Sequence, residues 1–191
     1  MDKSEIEGFL HAIDDELARE ASPRERLDLY LIGRAALILR FGLDLGTKDV
    51  DIVRRGDMPD LQRKAIDLFG EGTPNALRWR LYLQPVPEGL PPLPGSYRRL
   101  SVELPGEWKV LRPRQLDPHD LAITKLKRFH AGDREDLQIL CSSGLKIPEL
   151  ERALHSAYPF GMDDEEDPDC KRINEHFRRL IGYLEGRIRD L

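Results

Sequence analysis

The sequence predicts a mixed α/β (α+β) fold in which a sheet flanked by helices precedes a helical C-terminal part. Residues 27–33 and 48–54 show the alternating or wholly apolar patterns of strands that enter a core. From Asp117 onward, apolar residues recur at helical spacing instead. We therefore expect two domains, an α/β core over residues 1–115 and a helical part over residues 116–191.

The bulk composition is that of a globular protein. Of the 191 residues, 40% are hydrophobic, enough to bury a core and to exclude a disordered chain. The net charge of −5 does not favour a nucleic-acid binder whose whole surface is basic, although it leaves room for local basic clusters. The sequence has neither a signal peptide nor an apolar run of about 18 residues. We expect a soluble, cytoplasmic protein without a membrane partner.

Capping, proline and glycine signals place the other elements of the first domain. Ser4 with Glu7 predicts a capping box that opens an N-terminal helix. Two more helices are expected, over about residues 34–42 and from Pro59 to Gly70. Alternation and β-forming residues predict three further strands, at residues 76–84, 98–104 and 108–112.

The chain then becomes irregular before it becomes helical. Residues 85–95 hold five prolines and two glycines, which predicts a rigid loop. Asp117-Pro118 predicts the start of a helix that Gly132 ends, and Asp133 is expected to cap the next helix. Two more helices are expected to open at Pro148 and Pro168.

The candidate functional site lies where the first strand turns into a helix and the second strand begins. Gly33 at that turn would let a ligand approach the backbone, and the helix N-terminus presents unpaired N–H groups to a phosphate. Asp49 and Asp51 are two residues apart on a strand, so they project from one face. Oxygen ligands at that spacing suit one or two Mg²⁺ ions that hold a triphosphate. Either half alone is more often a solvated strand edge or an ordinary turn; their order along the chain makes them informative.

The chain resembles the polymerase-β-type nucleotidyltransferase superfamily. The resemblance rests on Gly33 followed by the segment Thr47-Lys48-Asp49-Val50-Asp51-Ile52. Residues 116–126 and 132–137 are similar to small, uncharacterised prokaryotic nucleotidyltransferases. That branch is related to nucleotidyltransferase toxins of the abortive-infection type. The toxins share a helical motif that would correspond here to Lys125, Arg128, Asp133 and Asp136.

The resemblance implies roles for individual residues. Asp49 and Asp51 would ligate metal, and a third carboxylate on a later strand would complete the metal set and act as general base. Glu103 is the only carboxylate inside a plausible downstream strand, and its alternative is a solvated strand residue. The three catalytic and metal-binding residues would thus be Asp49, Asp51 and Glu103. The nucleotide-binding residues would be Gly33, Arg34, Thr47 and Lys125.

Two of these nucleotide-binding residues have competing interpretations. Arg34 stands where the family places a small residue, so it would either clamp phosphate through its guanidinium fork or plug the pocket of an inactive relative. Lys125 would neutralise a triphosphate as a point charge. Alternatively, Lys125 would pair with Asp133 or Asp136 in a structural network between two helices.

Three functions follow as hypotheses. The first is a Mg²⁺-dependent enzyme that moves an NMP group from an NTP to a hydroxyl on RNA or protein, with a toxin role and an antitoxin partner as an extension. The second is an inactive module that binds a nucleotide, RNA or a protein. The third is an interaction protein whose terminal helices, 4–20 and 168–190, form a homo-oligomer. Basic residues on the predicted strands would suit RNA if they converge, and are otherwise solvated: Arg78, Arg80, Arg98, Arg99, Arg112 and Arg114.

Overall fold

A five-stranded mixed sheet organises the first part of the chain in the computed structural model, which describes residues 1–158 and 167–191. The described residues form two compact units, one of residues 1–88 with 101–116 and one of residues 89–100 with 117–191. Most of the acidic run 163–167 lies outside the described residues. None of the helices described has the length and apolar character needed to cross a membrane.

The first unit holds all the strands and four helices. The helices are α1 (Lys3–Ala18), α2 (Gly33–Phe41), α3 (Asp60–Phe69) and α4 (Pro74–Trp79). The strands are β1 (Leu27–Leu31), β2 (Asp49–Arg54), β3 (Tyr82–Pro87), β4 (Val102–Glu103) and β5 (Leu111–Gln115). The second unit holds α5 (Tyr97–Leu100), α6 (Pro118–Lys125), α7 (Ala131–Ser142), α8 (Ile147–Ala157) and α9 (Pro168–Leu184).

The strands run in the order β3-β2-β1-β5-β4. β1 is antiparallel to β2 and parallel to β5, β2 is parallel to β3, and β4 is antiparallel to β5. The prediction of a mixed sheet flanked by helices, with a helical C-terminal part, is confirmed. One face of the sheet is apolar and contacts α2 and α3. The other face carries Asp28 and Tyr30 of β1, Asp49 and Asp51 of β2, Tyr82 and Gln84 of β3, and Arg112 and Arg114 of β5.

A buried carboxylate on α1 fixes the start of β5. Asp14 is only 1% exposed, and its Oδ1 accepts hydrogen bonds of 2.7 Å from the N–H groups of Val110 and Leu111. Its Oδ2 accepts a third, also of 2.7 Å, from the N–H of Lys109. Since a buried charge is tolerated only when it is hydrogen-bonded, these three donors allow Asp14 to lie in the core. The bonds tie α1 to the strand beside β1.

The predicted strand 76–84 is wrong over its first half. Thr73 accepts a hydrogen bond from the N–H of Ala76, and Pro74 occupies the first turn, so a short helix forms here. Arg80 ends this helix with a left-handed φ of 56°, and the strand starts only at Tyr82. The Thr-Pro pair is a helix-start signal, and it outweighs the alternating pattern that follows it.

The strands expected at 98–104 and 108–112 are displaced along the chain. Residues Tyr97–Leu100 form a helical turn, which leaves only Val102–Glu103 as a strand, and the last strand is Leu111–Gln115. The first helix also begins earlier than expected. Asp2 is its N-cap and forms the capping box with Glu5.

The helical unit departs from the prediction around Gly132. α6 ends at Lys125, well before that glycine, and Phe129 then adopts a left-handed φ of 54°. α7 begins at Ala131, so Asp133 lies inside its first turn, where it accepts from the N–H of His130. The helix starts at Pro148 and Pro168 are confirmed to within one residue, since each proline lies at the first or second helical position.

Candidate functional site

Gly33 is the residue that brings α2 against the acidic strand. It opens the helix with φ +70°, a conformation that glycine adopts without steric cost. A Cβ built on Gly33 would overlap Asp51 Oδ2 and would lie 3.0 Å from Asp51 Cγ. The backbone N–H of Ile32 donates to the carbonyl of Asp51 over 3.0 Å. The Asp51 carboxylate therefore lies directly beside the first residue of a helix.

Asp49 and Asp51 lie on one face of β2, as the alternation predicted. Both are half-buried, whereas Val50 and Ile52 on the opposite face are fully buried. The hydroxyl of Thr47 lies 2.8 Å from Asp49 Oδ1 and 3.0 Å from the Asp49 carbonyl oxygen. Thr47, which we expected to contact the nucleotide, thus directs its hydroxyl at Asp49 and can fix the orientation of that carboxylate.

The neighbouring strand brings two more polar groups to the pair. In the parallel register of β2 and β3, Tyr82 is opposite Asp49 and Gln84 is opposite Asp51. Burial, followed by the charges of Asp49, Glu71 and Asp51, raises the pKa of Tyr82 above its usual value. The phenol therefore stays protonated at neutral pH and can donate a hydrogen bond beside the carboxylates. The sequence placed Tyr82 and Gln84 on a polar strand face, but it did not show which strand they adjoin.

Glu103 does not join Asp49 and Asp51, so the expected set of three carboxylates is wrong. Glu103 is exposed on the edge strand β4, opposite Arg114 of β5. It shares the polar face, but β5 and β1 lie between β4 and β2. Three strand spacings separate the two by about 14 Å. Across the described ranges, no three His, Cys, Asp or Glu residues lie close enough together to hold a metal ion.

The residues of this face fit one kind of metal binding and not another. A cage made wholly of protein ligands would need a third donor beside Asp51, where the strand offers the neutral amide of Gln84. Mg²⁺ commonly binds to one or two carboxylates together with the phosphates of its substrate. Asp49 and Asp51 meet that requirement, so the pair fits a Mg²⁺ ion that binds with a triphosphate.

Arg34 follows Gly33 in the first turn of α2. It is half-buried, while every other residue from Gly33 to Leu39 is buried. Its side chain is thus the only one of this stretch that reaches the protein surface. A cation at this position adds to the positive end of the helix dipole, which also favours an anion.

Other arginines of the polar face are held by a carboxylate. Arg112 Nη2 lies 3.0 Å from Asp28 Oδ2, and Arg114 Nε lies 3.1 Å from Asp28 Oδ1. In the other unit, Arg98 donates to the hydroxyl of Tyr97 over 2.9 Å. These pairings account for three of the six arginines that would suit RNA if they converged, and the helix α4 takes the place of the basic strand predicted around Arg78.

Within the helical unit, Lys125 lies in a buried ion-pair network. It is 4% exposed, and its Nζ lies 2.6 Å from Asp136 Oδ2 and 3.8 Å from Asp133 Oδ1. Asp133 also lies 3.2 Å from Arg128 Nη2. The ammonium group is therefore enclosed and neutralised by carboxylates of α7. This arrangement favours the structural alternative for Lys125 over a phosphate contact.

A second acidic side chain of the helical unit is buried without full hydrogen bonding. Asp120 is 1% exposed, and its Oδ2 has no hydrogen-bond partner in the described part of the chain. Burial, with a smaller contribution from Asp117, raises the pKa of Asp120 to about 7, and His119 acts in the opposite direction. The backbone N–H of Lys146 lies 3.0 Å from His119 Nε2, and His119 Nδ1 lies 2.7 Å from Asp117 Oδ1.

Replacing Asp120 with leucine is expected to stabilise the protein at pH 8. A carboxyl whose pKa is raised on folding contributes stability that is complete below about pH 4 and is lost as the pH rises through about 7. At pH 8 the raised pKa lowers the free energy of unfolding by at most about 4 kcal/mol, and we expect Asp120→Leu to regain about 1–3 kcal/mol of that free energy. Urea unfolding followed by far-ultraviolet circular dichroism at pH 5 and pH 8 measures this. Glu151→Leu, at an exposed site on α8, is the control. If the stability of Asp120→Leu depends on pH as strongly as that of the wild-type protein, the raised pKa of Asp120 is contradicted.

One of the comparisons with known proteins finds a match for most of the chain. A family model described as "Nucleotidyltransferase of unknown function (DUF6036)" matches residues 9–179. No curated protein and no solved structure matches the chain significantly. The matched region includes Gly33, Asp49 and Asp51 and extends through most of α9, beyond the part that the sequence motifs covered. The chain thus belongs to this nucleotidyltransferase family.

Proposed function

We propose that the protein transfers an NMP group from an NTP to a hydroxyl group, with Mg²⁺, at the surface formed by Gly33, Asp49 and Asp51. The observation that carries this proposal is the contact between the Gly33 turn and the Asp51 carboxylate, where a Cβ has no room. A helix N-terminus that favours anions thereby adjoins two carboxylates that suit a cation. A metal–triphosphate complex needs both kinds of partner.

Each residue of the surface has a role in this proposal. Asp49 and Asp51 would hold Mg²⁺, which supplies charge neutralisation for the triphosphate and its leaving pyrophosphate. The turn at Gly33 and the start of α2 would bind phosphate oxygens through backbone N–H groups. Thr47 would keep the Asp49 carboxylate in place, and Tyr82 would donate a hydrogen bond to the substrate.

The acceptor hydroxyl must lose a proton as its oxygen bonds to the α-phosphorus and pyrophosphate leaves. The strand beside the aspartates provides Gln84 in place of a third carboxylate, so no separate acidic group adjoins Asp51 there. We assign the proton to one of the two aspartates, which then act both in binding and as general base. The acceptor is a hydroxyl on RNA or on a protein.

A catalytically inactive nucleotide-binding module is the second candidate function. Two observations favour it, namely Gln84 at the strand position beside Asp51 and Arg34 in place of a small residue in the phosphate-binding turn. In such a module the same surface would bind an NTP without turnover. A toxin role with an antitoxin partner belongs to the proposal only through the resemblance to toxin branches, and a small helix-turn-helix gene directly upstream would support it. Action in the cytoplasm is proposed because the sequence holds no apolar run of about 18 residues.

Labelled NTPs test the proposed activity directly. The full-length protein, incubated with Mg²⁺, total RNA and each of the four NTPs, is expected to transfer label to a macromolecule. Asp49→Asn and Asp51→Asn should each reduce the rate about 100-fold or more, because a lost metal ligand costs more than a lost supporting group. Asp57→Asn is the matched control, since Asp57 is an exposed aspartate just beyond β2. Nucleotide binding without transfer would favour the inactive module, and the absence of both would refute the site.

A further inference from the structure

The end of α9 is folded so that two segments of chain face each other. Gly186 adopts φ +70° and reverses the chain after the helix. The N–H groups of Arg187 and Ile188 then both donate to the carbonyl of Gly182, over 2.8 and 3.2 Å. Ile188 packs against Gly182, about 3.8 Å from where a Cβ on that glycine would lie. The returning tail and the last turns of α9 form a shallow groove.

Four arginines line this groove. Arg178 and Arg179 extend from α9, and Arg187 and Arg189 extend from the tail, and all four are exposed. Such a concentration of positive charge is unusual in a chain whose net charge is −5. It implies a local surface with a partner of opposite charge, and not a generally basic protein.

Among the described residues, only one of the four arginines, Arg187, has a carboxylate partner. Arg187 pairs with Glu185, and Arg179 Nη2 lies 3.5 Å from the carbonyl oxygen of Asp190. Arg178 and Arg189 have no ion-pair or hydrogen-bond partner within residues 1–158 and 167–191. The groove thus keeps at least two guanidinium groups that can bind an anion.

We propose that this arginine groove binds the phosphate backbone of RNA. A guanidinium group presents a planar fork that matches phosphate oxygens in two parallel hydrogen bonds. Several forks along both sides of one groove suit a chain of phosphates better than a single anion. The lining residues include one carboxylate, Asp190, and no side-chain amide, so the four arginines dominate and the contacts are expected to be to phosphates, independent of sequence. This surface is distinct from Gly33, Asp49 and Asp51, and RNA binding to it does not require turnover.

Salt-dependent RNA binding tests the proposal. Fluorescence anisotropy of a labelled, mixed-sequence single-stranded RNA is followed with the full-length protein over a series of KCl concentrations. The variant Arg178→Gln/Arg189→Gln should bind the RNA about 10-fold more weakly. It should also reduce the slope of log K against log salt by about 1.4, because that is the value for two lost phosphate contacts on a single strand. The control Arg152→Gln/Arg172→Gln makes the same charge change at exposed arginines of α8 and α9, each with a carboxylate one turn away. It should bind RNA within about twofold of the wild-type protein.

Three outcomes with the wild-type protein or the arginine variants would overturn the proposal. They are an absence of RNA binding by the wild-type protein at low salt, equal weakening by both double variants, and displacement of RNA by ATP at matched phosphate concentration. The last would identify the groove as a mononucleotide site. Asp51→Asn should retain full RNA binding. If Asp51→Asn abolishes binding while the arginine variant does not, RNA contacts the catalytic surface, and the groove proposal fails while the proposed function stands.

Discussion

Replacing Gly33 with alanine is expected to destabilise the protein by about 2–4 kcal/mol and to abolish nucleotide binding. The left-handed backbone at Gly33 by itself costs a residue with a Cβ about 1–2 kcal/mol. The new methyl group would also overlap Asp51 Oδ2, so the turn or the carboxylate must move. Either movement separates the helix N-terminus from the aspartate that the proposed site requires.

Gly42 provides a control that separates these two effects. It ends α2 with φ +65°, but a Cβ built there meets nothing within 4 Å. Gly42→Ala should therefore show only the backbone cost, with nucleotide binding unchanged. Urea unfolding and calorimetric titration with Mg²⁺–NTP compare the two variants. If Gly33→Ala matches Gly42→Ala in both measurements, the contact between Gly33 and Asp51 has no importance for the site.

Replacing Lys125 with methionine is expected to destabilise the helical unit by about 3–5 kcal/mol. The substitution would remove the ammonium group that lies 2.6 Å from the buried carboxylate of Asp136. Circular dichroism detects the loss of helix during urea unfolding. Lys127→Met is the control, because Lys127 makes a longer and partly exposed pair of 3.6 Å with Asp169, and it should cost less than about 1 kcal/mol.

The variant Lys125→Met/Asp136→Leu distinguishes a structural role from a phosphate-binding role. Removing both charges should recover much of the stability, since the cost comes from an unpaired buried charge and not from the loss of an attractive pair. If Lys125 binds a triphosphate instead, Lys125→Met should leave the unfolding midpoint near that of the wild-type protein and weaken NTP binding. That result would contradict the buried network as the role of Lys125.

The sequence was sufficient for features that depend on local rules. Gly33 was identified because a glycine where a strand turns into a helix lets a ligand approach the backbone, and its φ of +70° shows that the turn also uses a conformation that glycine adopts easily. Asp49 and Asp51 were assigned to one face because side chains alternate along any strand. These arguments need only a few neighbouring residues, and no strand order.

The features that the sequence did not reveal depend on which strands are neighbours. Alternation placed Glu103 in a strand and on a face, but the order β2-β1-β5-β4 separates it from Asp51. The same missing information concealed Tyr82 and Gln84, which reach the aspartates only through the parallel pairing of β2 with β3. Lys125 was left with two interpretations for a related reason, since only its burial could decide between them.

The binding of Mn²⁺ in place of Mg²⁺, measured by electron paramagnetic resonance with and without NTP, tests whether Asp49 and Asp51 hold a metal ion together with a triphosphate. Because the described residues bring no third carboxylate to Asp49 and Asp51, the protein alone should bind Mn²⁺ weakly, and addition of NTP should tighten the binding about 10-fold or more. This NTP-dependent binding should disappear in Asp49→Asn/Asp51→Asn and persist in Asp57→Asn. Equal Mn²⁺ affinity with and without NTP, or undiminished binding in the double variant, would contradict the account.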